Sequence, residues 1–233
     1  MWNNVDFKSS WKWFLGFLLY LICLLILPNI SFTEVLWRNG YPVAINKVYL
    51  FLQFFVCIFI VNITTSIFGE SFKKSTYEYL LTYPLSTYKI IIVRVFRLFI
   101  IVYIIYVPVV IYLFNSANKS ILDYIDLFPQ YTGFPLINIF IPIVHCMVAV
   151  IFYIMLTIFL MLILKNNNIP AILIMAYCAL EAGPLNLILG KYSIFRGSFN
   201  TQDFYSFLPE NIKIMLILSL VFMFVIIGTY RKQ

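Results

Sequence analysis

Three residues in the apolar part of this chain carry groups that could take part in chemistry. His145 and Cys146 are neighbours within one long apolar run, and Glu181 closes the next run along the chain. An imidazole, a thiol and a carboxyl at membrane depth could form a catalytic or proton-coupled group, because ionisable side chains there are costly unless they serve a function. A structural interpretation is favoured, because a single histidine with no second ligand or carboxylate in its own run is weak evidence of a site. His145 would then bond to a carbonyl across a helix interface, and Glu181 would lie at the outer water line.

The sequence motifs of familiar catalytic and nucleotide sites are missing. The eight glycines form no G-x-x-x-x-G-K-[ST] pattern, so any ATP is expected to bind to another chain. There is one histidine, and neither H-E-x-x-H nor G-x-S-x-G is present. The four cysteines, Cys23, Cys57, Cys146 and Cys178, lie within apolar runs, which indicates packing residues rather than a disulfide framework. We therefore expect no catalytic residue, cofactor or metal in this chain.

The composition indicates a membrane protein. Of 233 residues, 63% are hydrophobic and 11% charged, and the mean hydropathy is +0.97. Soluble domains are roughly half apolar and a quarter charged, so the excess apolar surface must face lipid. Six runs approach the ~20 residues that cross about 30 Å of hydrocarbon. These runs are Trp13–Pro28, Val48–Phe68, Ile90–Phe114, Ile137–Leu164, Ile169–Leu187 and Ile212–Tyr230.

The distribution of Lys and Arg predicts how these runs are oriented. If both termini are cytoplasmic, ten positive residues lie inside and six outside, which follows the positive-inside rule. The inner residues are Lys8, Lys12, Lys73, Lys74, Lys89, Arg94, Arg97, Lys165, Arg231 and Lys232. Arg94 and Arg97 start the third run and are expected to extend to lipid phosphates. The net charge of +7 is therefore explained by topology, and we expect no nucleic-acid binding.

The predicted fold class is an all-α membrane protein with six transmembrane helices and both termini cytoplasmic. Residues 1–233 are expected to form a single transmembrane domain. Its first part, residues 1–12, mixes Trp with Lys and is expected to lie in the membrane interface. Residues 115–135 predict an outer loop with a short surface helix around Ile121–Phe128. A Gly-Pro break within apolar sequence predicts an outer re-entrant or interfacial segment, residues 181–210, between spans 5 and 6.

A polar island, residues 70–89, separates the second and third runs. Ser75 with Glu78 three residues later fits a capping box, which starts a helix. Pro84 ends this helix after about two turns, because the residue before a proline disfavours helical geometry. Such a short helix is marginal alone in water. We therefore expect its Leu and Tyr face to be buried, either on the membrane or the protein's own bundle, or in a groove of a cytoplasmic partner.

The island and the layout around it resemble the membrane subunit of ABC-2 type transporters. The shared pattern is E-x(several)-[GS]-T-x-E-x-L-L-x-x-P-[LV]-S between the second and third of six spans. In that family the segment with this pattern is called the coupling helix, and it inserts into a groove of the cytoplasmic ATPase. The residues carried over by position are Glu70, Ser75, Thr76, Glu78, Tyr79, Leu80, Leu81 and Pro84. Ser75 replaces the usual glycine, and Thr87 stands where an arginine commonly follows the motif.

The resemblance implies a permease subunit of an ATP-binding cassette exporter in a bacterial plasma membrane. The implied partners are cytoplasmic ABC ATPase subunits, which hold ATP and magnesium, a second permease copy or paralogue, and membrane lipid. An apolar, aromatic lining suits an apolar or amphipathic substrate, such as a cytolytic or antimicrobial peptide, a lipid or a drug. Two other interpretations stay open. One is a six-span bacteriocin-immunity or regulatory protein that binds a peptide without an ATPase, and the other is an intramembrane enzyme that uses His145 or Glu181.

Overall fold

The computed structural model describes residues 4–26, 37–38, 41–42, 44–69, 87–127, 140–182, 188 and 201–231. These residues form six helices, as the six apolar runs of the sequence predict. The helices are α1 (Asn4–Ile26), α2 (Ala44–Gly69), α3 (Thr87–Leu127), α4 (Phe140–Leu164), α5 (Ile169–Ala182) and α6 (Thr201–Arg231). The fold is therefore helical throughout this part of the chain, with one small exception between α1 and α2.

That exception is an antiparallel pair of two-residue strands, β1 (Trp37–Arg38) and β2 (Tyr41–Pro42). Arg38 pairs with Tyr41, so two residues separate the strands. The sequence between them is Asn-Gly, the dipeptide most favoured in two-residue hairpin loops. The prediction of a purely helical chain overlooked this signal.

Three described helical segments are long and apolar enough to cross a membrane. They are Lys89–Tyr112 in α3, Ile143–Leu164 in α4 and Glu210–Thr229 in α6. Shorter apolar segments lie in α1, α2 and α5, at Ser10–Cys23, Val56–Gly69 and Ile169–Glu181. The structure thus agrees with a helical membrane protein, while the number of six spans stays a prediction.

Helix α4 is the centre of the bundle. It packs against α2, α3, α5 and α6. Half of its candidate span is buried within the protein, compared with 28% in α3 and 17% in α6. Ile154 and Ile158, one turn apart, are completely buried on α4, whereas Phe96 on α3 and Phe224 on α6 are largely exposed. In a bilayer these outer faces of α3 and α6 are suited to contact lipid, which is as apolar as they are.

Helix α5 runs antiparallel to α2. Near the middle of α2, Cys57 lies beside Cys178, and at its end Gly69 contacts Asn167 just before α5 begins. The contacts therefore move towards the start of α5 as α2 advances. Because α4 and α5 are joined by only four residues, the end of α4, the start of α5 and the end of α2 all lie at the same end of the bundle.

Polar side chains within these helices bond to their own backbone. Thr64 donates to the Ile60 carbonyl at 2.7 Å, and Thr157 on α4 donates to the Tyr153 carbonyl at 2.6 Å. Hydroxyl groups can form this bond one turn back along a helix. Their burial in an apolar bundle is tolerated because no donor is left unsatisfied in a region without water.

At three places a helix continues past the edge of an apolar run. Helix α1 begins at Asn4, so residues 4–12 of the expected interfacial segment 1–12 are continuous with the helix of the first apolar run. The predicted surface helix around Ile121–Phe128 is not separate, because as far as Leu127 it is the end of α3, a continuous helix of 41 residues. Residues 201–210 of the expected segment 181–210 belong to α6, and the interfacial or re-entrant location of both segments stays a prediction.

Candidate functional site

The coupling residues predicted from the island lie outside the described residues. Gly69 is the last described residue before them, and Thr87 is the first after them. The residues concerned are Glu70, Ser75, Thr76, Glu78, Tyr79, Leu80, Leu81 and Pro84. The structure describes Gly69, the residue at which the chain leaves the bundle and enters the island.

At that point the α4–α5 turn, residues 165–168, contacts the end of α2. Asn167 Nδ2 donates to the carbonyl oxygen of Gly69 at 2.8 Å. The last carbonyls of a helix have no partner within it, so this bond satisfies a group that would otherwise need water. The two residues are 98 positions apart in the sequence, and no local pattern could have indicated their contact.

The turn itself is held by a cap at the start of α5. Asn166 Oδ1 accepts from the backbone N–H of Asn168 at 2.8 Å and of Ile169 at 3.1 Å. An asparagine oxygen in this arrangement acts as a helix N-cap. Lys165 has a φ of 49°, the left-handed geometry that commonly ends a helix. These bonds define how α4 turns into α5.

A second polar group lies deep in the bundle, where α2, α4 and α5 meet. Cys57 Sγ on α2 and Cys178 Sγ on α5 are 3.2 Å apart, and the Cys178 thiol is 4.0 Å from the Tyr153 hydroxyl on α4. The Glu181 carboxyl interacts electrostatically with Cys57 and Tyr153. It also accepts a hydrogen bond from the Tyr177 hydroxyl one turn earlier. We call these five side chains the thiol cluster.

The interpretation of Glu181 as a residue at the outer water line is wrong. Its side chain is 0% exposed and belongs to the thiol cluster. The reason is the shortness of α5, whose 14 residues span roughly 21 Å at 1.5 Å per residue. Since α5 begins at the end of the bundle, Glu181 remains below the opposite end. Sequence reasoning singled out this residue correctly, but the structural interpretation expected contact with water and the side chain is buried.

Cys146 joins another buried contact, between α4 and α3. Its thiol lies 3.6 Å from the Tyr106 hydroxyl on α3. Beside this pair is a cavity of about 10 Å³, enough for at most one water molecule. The cavity is lined by Val56, Ile60, Tyr106, Cys146, Ala149, Val150 and Tyr153. It is too small and too apolar to hold a substrate.

His145 is completely buried on α4, in agreement with a position inside a helix interface. It lies eight residues before Tyr153, which corresponds to about 12 Å along the helix axis. The structure therefore does not assemble His145 with the thiol cluster into one compact site. Arg94 and Arg97 are half-buried near the start of α3, one helical turn apart.

Asn211 on α6 is a polar residue that sequence reasoning missed. Its side chain is 2% exposed, and among the described residues neither its amide nitrogen nor its oxygen has a hydrogen-bond partner. The asparagine lies in the buried stripe of α6, one and two turns before Met215 and Ser219. A polar residue in phase with a buried stripe is the signal that could have identified it.

Within the described residues, no three His, Cys, Asp or Glu side chains come close enough together to hold a metal ion. The comparisons with known proteins give no relative: no family model, no curated protein and no solved structure matches the chain. The function must therefore be argued from the residues themselves.

Proposed function

We propose that this chain is the membrane-spanning permease subunit of an ABC exporter of the ABC-2 type. The observation that carries the proposal is the island sequence, ESFKKSTYEYLLTYPLS, between the end of α2 and the start of α3. It combines a capping box, a short Leu and Tyr helix and a proline stop. A separate cytoplasmic ATPase binds ATP and magnesium, and its movement acts on this segment.

The proposed orientation places the island in the cytoplasm. Six helices cross the bacterial plasma membrane, and both termini are cytoplasmic. The position of Lys165 supports this, because it is an exposed residue at the same end of the bundle as Gly69, where the chain enters the island. Lys73 and Lys74 within the island add two further positive charges. Short loops rich in Lys and Arg are typical of the cytoplasmic side.

The proposed contact with the ATPase is mainly apolar. Leu80 and Leu81 insert into a groove of the ATPase, and Glu78 bonds back to the start of the short helix to stabilise it. A helix of two turns needs such a partner because it is marginal alone in water. The partner's nucleotide state can then shift the permease between two conformations, since a ligand biases an equilibrium by binding one state more tightly.

The proposed substrate is apolar or amphipathic, such as a cytolytic or antimicrobial peptide, a lipid or a drug. Two permease chains, either copies or paralogues, form the pathway. The support is chemical: the outer faces of the described helices are lined with large apolar side chains, for example Ile104 on α3 and Ile217 on α6. Such faces are suited to lipid, to a second permease and to an apolar cargo, and unsuited to a highly charged one.

The test of this proposal replaces the island's apolar residues. A Leu80→Ala/Leu81→Ala double variant is expected to weaken co-purification of the ATPase at least tenfold, because each buried leucine contributes about 1.5 to 3 kcal/mol. Transport and stimulation of ATP hydrolysis should fall with it, while the amount of protein in the membrane stays the same. Glu78→Ala is expected to act in the same direction. Thr82→Ala, at a position of the same segment that the motif leaves open, is the matched control.

Normal transport by the double variant would exclude the coupling role. A wild-type chain that binds a peptide but purifies with no ATPase would instead indicate the immunity or regulatory protein. An activity that is independent of any ATPase and is abolished by His145→Ala or Glu181→Ala would indicate the intramembrane enzyme.

A further inference from the structure

We propose that Asn167 is a positioning residue that ties the end of α2 to the α4–α5 turn, so that a displacement of the chain beyond Gly69 is passed on to α5. This inference rests on the proposed function, in which that chain receives the movement of an ATPase. It adds the route by which the movement enters the bundle.

The first support is the bond itself. Asn167 Nδ2 donates to the Gly69 carbonyl oxygen at 2.8 Å, an ordinary length for a good N–H···O bond. Gly69 is the last residue of α2, so its carbonyl is free of the helix ladder and can accept from another element. Any force on the following residue reaches this peptide group first. A bond at that position therefore acts before the movement is spread along α2.

The second support is the rigidity of the turn on the other side of the bond. Asn167 lies between Asn166, which caps α5, and Asn168, whose carbonyl oxygen accepts from the Ile172 N–H at 3.2 Å. Both neighbours of Asn167 are therefore bonded into the first turn of α5. A displacement of the Asn167 side chain therefore moves the first turn of α5, because no flexible residue lies between them to absorb it.

The third support is the close approach of the two chains. A Cβ placed on Gly69 would lie 3.1 Å from both Cγ and Nδ2 of Asn167, which is tighter than ordinary side-chain contact. A side chain at residue 69 would push the amide away from the carbonyl. The absence of a side chain at Gly69 thus permits the bond, and this gives a second way to break it.

The displacement has a continuous path beyond the turn. Higher along the same two helices, Asn62 lies near Met175, with the amide nitrogen 4.0 Å from the sulfur. Cys57 then lies beside Cys178. Coupling between distant sites is carried by such chains of packed side chains. The Asn167 bond is the first link of this path and the one nearest to the island.

The first experiment tests the bond without any ATPase. Hydrogen exchange of the full chain in lipid nanodiscs is compared for wild type, Asn167→Ala, and the exposed neighbour variant Asn168→Ala as the control. In Asn167→Ala, the amides of residues 66–69 and of Ile169, Ala171 and Ile172 are expected to exchange roughly fivefold faster, which corresponds to the loss of one hydrogen bond. Gly69→Ala should give the same pattern from the other side. Equal exchange in Asn167→Ala and Asn168→Ala would overturn the inference.

The second experiment tests whether the bond transmits movement. In the chain with its co-purified ATPase, Asn167→Ala should lower the permease-dependent stimulation of ATP hydrolysis and transport, while the ATPase remains bound. Asn168→Ala should leave both unchanged. Full coupling in Asn167→Ala, alongside a coupled wild type, would overturn the inference and leave the proposed function intact. A wild type that binds no ATPase would overturn both.

A covalent rescue separates transmission from a merely structural role. The Gly69→Cys/Asn167→Cys variant, in a Cys178→Ala background, places two Cβ atoms close to 3.4 Å apart, near the ~3.5–4.5 Å of disulfides. Oxidation by copper phenanthroline removes two electrons and two protons and forms the S–S bond. Coupling is expected in the oxidised protein and should be lost on reduction. Coupling that is unaffected by reduction would contradict transmission through this contact.

Discussion

Asn211 is a buried residue whose polar side-chain atoms the described structure leaves unsatisfied. Both side-chain atoms lack a hydrogen-bond partner among the described residues, although the side chain is almost completely buried. A polar group buried without a bond costs free energy, because the bonds it made to water are not replaced. Ser219 on the same buried stripe differs, since its hydroxyl donates to the Met215 carbonyl at 2.6 Å.

We therefore expect Asn211→Leu to stabilise the protein. Removing the unsatisfied amide should raise the free energy of unfolding by about 1 to 3 kcal/mol, measured by titration of the full chain in mixed micelles with a denaturing detergent. Ser219→Ala is the matched control, and it should change the free energy by less because its hydroxyl is already satisfied. A destabilised Asn211→Leu variant would show that the amide has a partner in the folded protein.

The residue scale also shows how far the sequence could identify a site. His145, Cys146 and Glu181 were singled out correctly as ionisable residues within apolar runs, and all three are buried. Their neighbours could not be predicted, because Cys57 meets Cys178 across 121 residues. Whether two side chains on different helices meet depends on how each helix is rotated about its axis and shifted along it. A single sequence does not specify these two quantities.

At the scale of elements, the pair α2 and α5 carries both the thiol cluster and the Asn167 bond. The two thiols lie 3.2 Å apart, about 1 Å more than the ~2.05 Å of a disulfide. Both cysteines are free and buried. Because a small movement is enough to join the two sulfurs, disulfide formation between them is a direct test of how α2 packs against α5.

We expect copper phenanthroline to join Cys57 to Cys178 in the membrane. A protease site inserted between residues 131 and 132 divides the chain, so the two fragments remain together on a non-reducing gel only if the bond has formed. Cys178→Ser should abolish the link, whereas Cys146→Ser should leave it intact. Fragments that separate after oxidation of the parent protein would contradict the packing of α2 against α5.

Helix ends were harder to predict than apolar runs, for a physical reason. Hydropathy marks where the chain leaves the membrane, whereas a helix ends only where a residue breaks it. Between Pro108 and Pro129 there is no proline or glycine, and α3 continues to Leu127. Pro108 itself lies inside α3 without ending it, as is tolerated in membrane helices. The two boundaries can also coincide: the fourth predicted run, Ile137–Leu164, ends at the same residue as α4.

At the scale of the whole molecule, α3 is longer than the hydrocarbon core of a bilayer is thick. Its 41 residues correspond to roughly 62 Å, about twice the thickness of the hydrocarbon core. The candidate span is Lys89–Tyr112, so Lys119 lies about 10 Å beyond it along the helix. Lys165, in the α4–α5 turn, lies just beyond the candidate span of α4. Both lysines are exposed.

The proposed topology therefore predicts opposite accessibility for these two positions. In a Cys23→Ser background, Lys119→Cys should react with a membrane-impermeant maleimide in intact cells. Lys165→Cys should react only after the cells are permeabilised. The three remaining cysteines are buried and provide a low background in both assays. Labelling of Lys165→Cys in intact cells would show that the orientation is the reverse of the proposed one. The island would then face away from the cytoplasm, where no ATPase could reach it, and the coupling role of Leu80 and Leu81 would be excluded together with the topology.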